Sequence, residues 1–265
     1  MQDAVRFLAD SPDRLALLGR LREGAAGPAT LAGDLDCARR SVQRNLVALT
    51  ERGWVERGDA GYWLTAAGDV AADIHAAYRG RLERLERFAP LFRHLEPEAA
   101  PPLAALDGAG LAVASPETPQ APVQFYVDRV ESLGGDTVRM CSPVLSRRFH
   151  DAHAALAMQG VHTELVLPAA AAETARERNP VEFETVVGVG VLDLYVHPGT
   201  LPFVVTVGAD GLLLAAHDED GRLQACLAAD DPAVVEWGTA TFERYREAAQ
   251  PVAAPADAPT DPDSS

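Results

Sequence analysis

The chain has 265 residues, and its 23 basic residues, all arginine, face 39 acidic ones for a formal net charge of -16. That balance excludes a histone-like polycation. Arg or Asp interrupts every window of about twenty residues, so neither a membrane-spanning helix nor an N-terminal signal segment is expected, and the cytoplasm is the predicted location.

The charge is unevenly spread. Residues 1–95 carry 14 Arg and 13 acids, net +1, whereas residues 96–265 carry 9 Arg and 26 acids, net -17. Only the first part is suited to approach an anion. The absence of Lys fits a GC-rich genome, and the acidic excess fits a halophilic, salt-rich cytoplasm. At molar salt the Debye length is about 3 Å, which screens an acidic domain from DNA. Cys37, Cys141 and Cys226 are too far apart in sequence for a disulfide framework or a metal knuckle, which points to a reducing compartment.

The first predicted element is a helix over SPDRLALLGRLREG, with Ser11 as cap, Pro12 at the first helical position and Leu15, Leu18 and Leu21 on one face. Pro28 can start a second, short helix with Leu31 and Leu35 one turn apart. A third runs through ARRSVQRNLVALTERG to Gly53, with Val42, Leu46 and Leu49 inward. Its first turns offer Arg39, Arg40, Ser41, Gln43 and Arg44 outward, a basic face on an element that fits the DNA major groove. WVERGDAGYWLTAAG then reads as a two-stranded wing, and Arg57 beside it can reach a flanking phosphate.

Two short helices, a polar-faced helix and a hairpin make a winged helix-turn-helix. Residues 11–68 resemble the DNA-binding domains of bacterial and archaeal regulators in the order LxxxL, RRSVQRNLVALTERGWVER, YWLTAAG, ending on LT-x-x-G. Those domains often cap the third helix with a small hydroxylated residue. Cys37 and Ala38 stand there in this chain, so Ser41 is expected to contribute in its place.

Residues 65–95 are predicted to form a long helix that Pro90 kinks or divides. Its apolar stripe, including Ile74, Tyr78, Leu82, Leu85, Phe88 and Phe92, either packs on the second domain or pairs with a symmetry mate. A homodimer through this stripe is expected, since regulators of paired half-sites need two reading helices. Residues 96–120 form a Pro- and Ala-rich linker in which LAVA could add a strand.

From 121 onward helix and strand patterns alternate, as in an α/β layer with partly parallel strands. FETVVGVG, VLDLYVHPG, LPFVVTVGADG, LLLAAHDEDG and RLQACLAA are predicted as consecutive strands, PAVVEWGTATFERYREAAQ as a closing helix, and 250–265 as a disordered acidic tail. The predicted organisation is therefore α/β overall: a winged helix-turn-helix at 1–68, a linker and dimerisation helix at 69–95, the linker at 96–120 and an α/β domain at 121–249.

SPVLSRRFHDAH at 142–153, GVHTELVLP at 160–168 and the block at 201–249 resemble the sensor domain of haloarchaeal and methanogen winged helix-turn-helix regulators, the type named after a methanogenesis and filament-growth regulator. The resemblance implies a one-component transcription regulator that binds double-stranded DNA and senses a small-molecule effector or a partner. Ser142, Arg147, Arg148, Tyr195 and His197 are the candidate ligand contacts, with either arginine able to hold a carboxylate or phosphate. An alternative is a protein-binding winged module that does not touch DNA.

The sensor domain also looks loosely like the phospholipase-D fold. A phosphodiesterase of that kind needs a nucleophilic His with a Lys two positions on, and the chain has no Lys. His150 and His153, with Cys141 on a neighbouring strand, form a conceivable but weak metal or redox patch. No Walker lysine, dinucleotide glycine fingerprint or nucleophile elbow is present, and GVGVLD has the wrong spacing. No catalytic residue, metal or cofactor, and no enzymatic activity, is therefore expected.

Overall fold

A computed structural model describes residues 2–188 and 192–252, and the chain divides into two compact units, 1–83 and 84–265. The first unit holds α1 (Gln2–Ala9), α2 (Pro12–Arg22), α3 (Pro28–Asp34), α4 (Arg39–Glu51), β1 (Val55–Gly58), β2 (Gly61–Leu64) and the start of α5 (Ala66–Phe92). Leu17, Leu18, Leu21, Leu31, Val42, Leu46, Leu49 and Val55 form its buried core.

α1 was not anticipated, because eight residues are too few to hold a helix by propensity. Packing holds it instead: Leu8 enters the core, and the Phe7 ring meets Trp54 edge-on at 5.7 Å. Ser11 and Pro12 stand at the positions expected for the start of α2, although the Ser11 side chain makes no capping hydrogen bond.

The wing pairs Val55 with Leu64 and Arg57 with Tyr62. Tyr62 also exchanges both backbone hydrogen bonds with Ala26 at 3.0 Å. Gly61 sits at φ +110, and a Cβ there would lie 2.6 Å from the Ala26 backbone, so only glycine permits this close approach. The LT-x-x-G signature has a similar explanation. The Thr65 hydroxyl donates to the Gly53 carbonyl at 2.7 Å and accepts from the Gly68 N–H at 3.1 Å. A Cβ on Gly68 would meet the Trp54 carbonyl oxygen at 2.0 Å. Cap and close packing thus start α5 where the hairpin ends. Arg22 then joins α2 to α5, with Asp69 at 2.7 Å and Asp73 at 2.6 Å.

α5 runs unbroken through Pro90, which does not divide it. Its last turns belong to the second unit, where Phe88 and Leu91 are fully buried and Phe92 packs on the same core. Arg84 pairs with Asp107, and Arg87 donates to the Ala109 carbonyl at 2.7 Å.

The second unit continues with β3 (Gly110–Val113), α6 (Ala121–Val130), β4 (Thr137–Cys141), α7 (Arg147–Met158), β5 (His162–Pro168), α8 (Ala169–Arg178) and α9 (Pro180–Gly188). It closes with β6 (Leu192–His197), β7 (Phe203–Val207), β8 (Leu212–His217), β9 (Leu223–Ala229), α10 (Pro232–Glu247) and β10 (Gln250–Pro251). Among the described residues the strands form one sheet in the order β10-β6-β5-β4-β7-β8-β9-β3. β4, β5 and β6 are parallel and the other pairs antiparallel. The mixed α/β class follows from helical connections between the parallel strands and tight turns in the β7-β8-β9 meander.

The central strands are buried on both faces. α10 and the end of α5 contribute to one hydrophobic cluster, and α6 and α7 to the other. LAVA at 110–113 does supply a strand, paired with β9. Two expectations are corrected. FETVVGVG, expected as a strand, lies mostly in α9, where Pro180 in the first turn starts a helix; its last two residues lie outside the described ones. Gln250 and Pro251, expected at the start of a disordered tail, pair with Val196 and Tyr195 of β6. The rest of that expectation, from 253 onward, lies outside the described residues.

Candidate nucleic-acid interface

α4 separates its two faces cleanly. Val42, Asn45, Leu46 and Leu49 are buried, while Arg39, Arg40, Gln43 and Arg44 are exposed and Ser41 is half-buried. At about 100° per residue Arg40 and Arg44 point away from the core, whereas Arg39 and Ser41 lie on the flanks. The centre of the face can meet base edges and the flanks can meet the backbone on either side. The α4 N-terminus has Ala38 at the cap position with no side-chain hydrogen bond. Ser41 does not replace that cap as expected; its Oγ accepts instead from Arg44 Nη2 at 3.4 Å, which steers that guanidinium. Asn45 accepts from Arg14 Nε at 3.2 Å, tying α2 to the buried side.

The wing carries Arg57, exposed, with its guanidinium 5.7 Å from the centre of the Tyr62 ring. Its tip is Asp59–Ala60, so positive charge lies on the strand rather than at the tip. Reading the sequence missed the third outward position of α4. Val47 is 54% exposed on the same face as Arg40 and Arg44, and the helical period that put Leu46 and Leu49 inside could have placed it there.

The candidate ligand contacts in the second unit are not brought together. Arg147 and Arg148 stand exposed at the start of α7, Arg147 being 3.7 Å from Asp151. Ser142 is buried and its hydroxyl donates to the Val144 carbonyl at 2.6 Å, so it is spent on its own loop. Tyr195 packs against the cluster that contains α10, and the His197 ring meets Tyr245 of α10 edge-on at 5.4 Å. Phe149 of α7 belongs to the opposite cluster. The five residues therefore divide between the two faces of the sheet.

The His150, His153 and Cys141 patch also dissolves. His153 Nε2 shares a hydrogen bond with the Tyr126 hydroxyl at 2.9 Å, and that hydroxyl meets Thr206 Oγ1 at 2.8 Å. Cys141 is buried in the other cluster, and burial pushes its thiol well above the usual value. Among the described residues no group of three His, Cys, Asp or Glu is arranged to hold a metal ion.

Burial, with a smaller push from His150, lowers the His153 pKa from 6.5 to about 4. The unfolded chain binds this proton below pH 6.5 and the folded chain does so only near pH 4, so stability falls as pH drops through that window. His153→Gln should remove about 2–3 kcal/mol of the stability lost between pH 7 and 4.5. Urea unfolding at both pH values measures it, and an unchanged loss in the variant counts against the assignment.

Two family models match the chain. Residues 2–87 match the HVO_A0261 N-terminal domain, and residues 119–248 match the middle domain of the methanogenesis regulatory protein FilR1. No curated protein matches. Among solved structures the chain is similar to TrmBL2, an archaeal chromatin protein, at 14% identity and TM-score 0.42, covering 94% of this chain and 99% of that one. It is also similar to NucT from Helicobacter pylori, at 11% identity and TM-score 0.42, covering 53% of this chain and 96% of that one. Phosphatidylserine synthase from Haemophilus influenzae is similar at 14% identity and TM-score 0.40, with 54% and 39% covered.

One expectation is corrected by these likenesses. The chain was expected not to be an enzyme, yet its structural neighbours include one, so the missing His-Lys pair does not establish that absence. With both of its domains matched by models and 2–87 built as a winged helix-turn-helix, the chain belongs to the haloarchaeal winged helix-turn-helix regulators with a FilR1-type middle domain.

Proposed function

We propose that this chain is a DNA-binding transcription regulator that acts in the cytoplasm as a homodimer, with a C-terminal domain that takes an effector. The observation that carries the reading is α4, whose outward face gathers Arg39, Arg40, Gln43 and Arg44 in an acidic protein while its opposite face is fully buried. A folding role would leave those arginines scattered; a groove-reading role needs them together. Among the described residues no helix is long and apolar enough to cross a membrane.

The supporting test is selection of duplexes from random DNA by the full chain at high ionic strength, which leaves sequence-specific contacts in place while screening long-range attraction. Enrichment of one sequence is expected. Recovery of no duplex, with the chain folded, would favour the protein-binding winged module.

The dimer reading rests on α5. Ile74, Tyr78, Leu82 and Leu85 stay exposed at 66%, 54%, 42% and 41%, an apolar row with spacing of three or four residues. Phe88 and Phe92 are withdrawn from it, because they are used in the core of the second unit. A second copy of the same helix fits the row, since two reading heads need a symmetric seam. Leu82→Glu with Leu85→Glu would place like charges at that seam and should give folded monomers by light scattering in concentrated salt. Wild-type chain that is already monomeric across the micromolar range would defeat it.

For the effector, Arg147 and Arg148 support an anionic ligand, because both guanidiniums are exposed next to a helix N-terminus. An effector regulates only if it binds two states of the protein unequally.

A further inference from the structure

Val47 is out of place on α4 by the ordinary rules of helix surfaces. It is 54% exposed, its face is otherwise polar, and it takes no part in the core that Val42, Leu46 and Leu49 build. A β-branched residue on a wet helical surface loses rotamer freedom and buries nothing, so Val47 gives folding no benefit that Ala would not exceed. Its direction is informative. Seven residues after Arg40, it projects within about 20° of the same line, with Arg44 close by. Glu51 follows one turn later, and its carboxylate disfavours a phosphate, so Val47 is the last residue of this face suited to a groove.

Of the four bases only thymine presents a methyl group in the major groove, and apolar side chains meet it there. We infer that Val47 reads a thymine by packing on its 5-methyl group, and this rests on α4 being the DNA-reading helix. Seven residues of helix advance about 10.5 Å, which is about three base pairs. The thymine therefore lies about three base pairs from the base that Arg40 contacts, and the preferred site combines hydrogen-bonded and apolar readout along one helix.

The test uses the full chain and the best duplex selected from random DNA at high ionic strength. Each thymine in that duplex is replaced singly by uracil, which removes only the methyl group. Wild type should lose about fourfold in affinity at one thymine, the amount expected for one methyl contact. Val47→Ala should bind the thymine duplex about as weakly and lose nothing further with uracil, so the two changes are not additive. Ala favours an exposed helix more than Val does, and thermal unfolding verifies that the variant is folded.

A uracil penalty that persists undiminished in Val47→Ala overturns the assignment to Val47. If no thymine methyl matters, the inference fails while DNA reading by α4 stands. If no duplex is selected at all, both fail together.

Discussion

A chain carrying Arg40→Ala and Arg44→Ala should keep its fold and lose its preferred DNA site. Both side chains are exposed on α4, opposite the buried Val42, Leu46 and Leu49, so their removal leaves the core of the first unit untouched. Each guanidinium that meets a base edge with two hydrogen bonds is worth about 1–3 kcal/mol. The pair together then costs about 2–6 kcal/mol, or roughly 30-fold to more than ten-thousandfold in affinity. Arg57→Ala supplies the contrast. Its charge sits on the wing strand beside Tyr62, where the proposed contact is a flanking phosphate, so its loss should weaken all sequences alike and flatten the dependence on salt. Isotherms with preferred and scrambled duplexes separate the two effects. Equal losses on both duplexes for the double variant would reduce α4 to a backbone contact.

Phe88→Ala should lower the stability of the chain by about 3–5 kcal/mol, the usual cost of emptying a ring-sized volume in a close-packed core. Phe88 is fully buried with Leu91, Leu106 and Phe242, and so is not available to a seam. Its neighbour Leu85, 41% exposed in a single chain and placed at the proposed seam, should cost the fold of one chain little when changed to Ala, its effect falling on dimerisation instead. Denaturant unfolding of the full chain measures both variants. A small loss for Phe88→Ala would mean that the end of α5 is not part of the second unit's core. The contrast matters because the same periodic row serves two purposes, and only burial tells them apart.

That row shows why the sequence could be read so far and no further. A stripe from Ile74 to Phe92 is visible as periodicity, but periodicity does not name the surface that covers it, and tertiary packing claims Phe88 and Phe92. The winged helix-turn-helix was legible because its parts are local: prolines at the starts of α2 and α3, a Gly-defined hairpin, and helices whose apolar faces follow one period. α9 was misread since a Val-rich run has no period to separate strand from helix, and Pro180 was the better signal. The candidate ligand residues divide for another reason. Tyr195 and His197, two apart on β6, share the face covered by α10, whereas Arg147 and Arg148 open α7, which covers the opposite face, and nearness in sequence to a strand end does not show which face the following helix covers. The Tyr126–His153 pair escaped notice, His153 being read with His150 as a weak metal or redox patch, because a hydrogen bond between α6 and α7 leaves no mark in local sequence.

β10 bears on how copies of the protein can associate. An open sheet has two raw edges, and an unpaired edge recruits strands from other molecules. Among the described residues the outermost strand on one side is Gln250–Pro251. Two residues offer almost no ladder, and Pro251 has no N–H to give to an incoming strand. Among the described residues this margin of the sheet offers little to runaway strand addition. Self-association is thereby left to side-chain packing, which can be finite and symmetric, rather than to backbone pairing, which has no natural end.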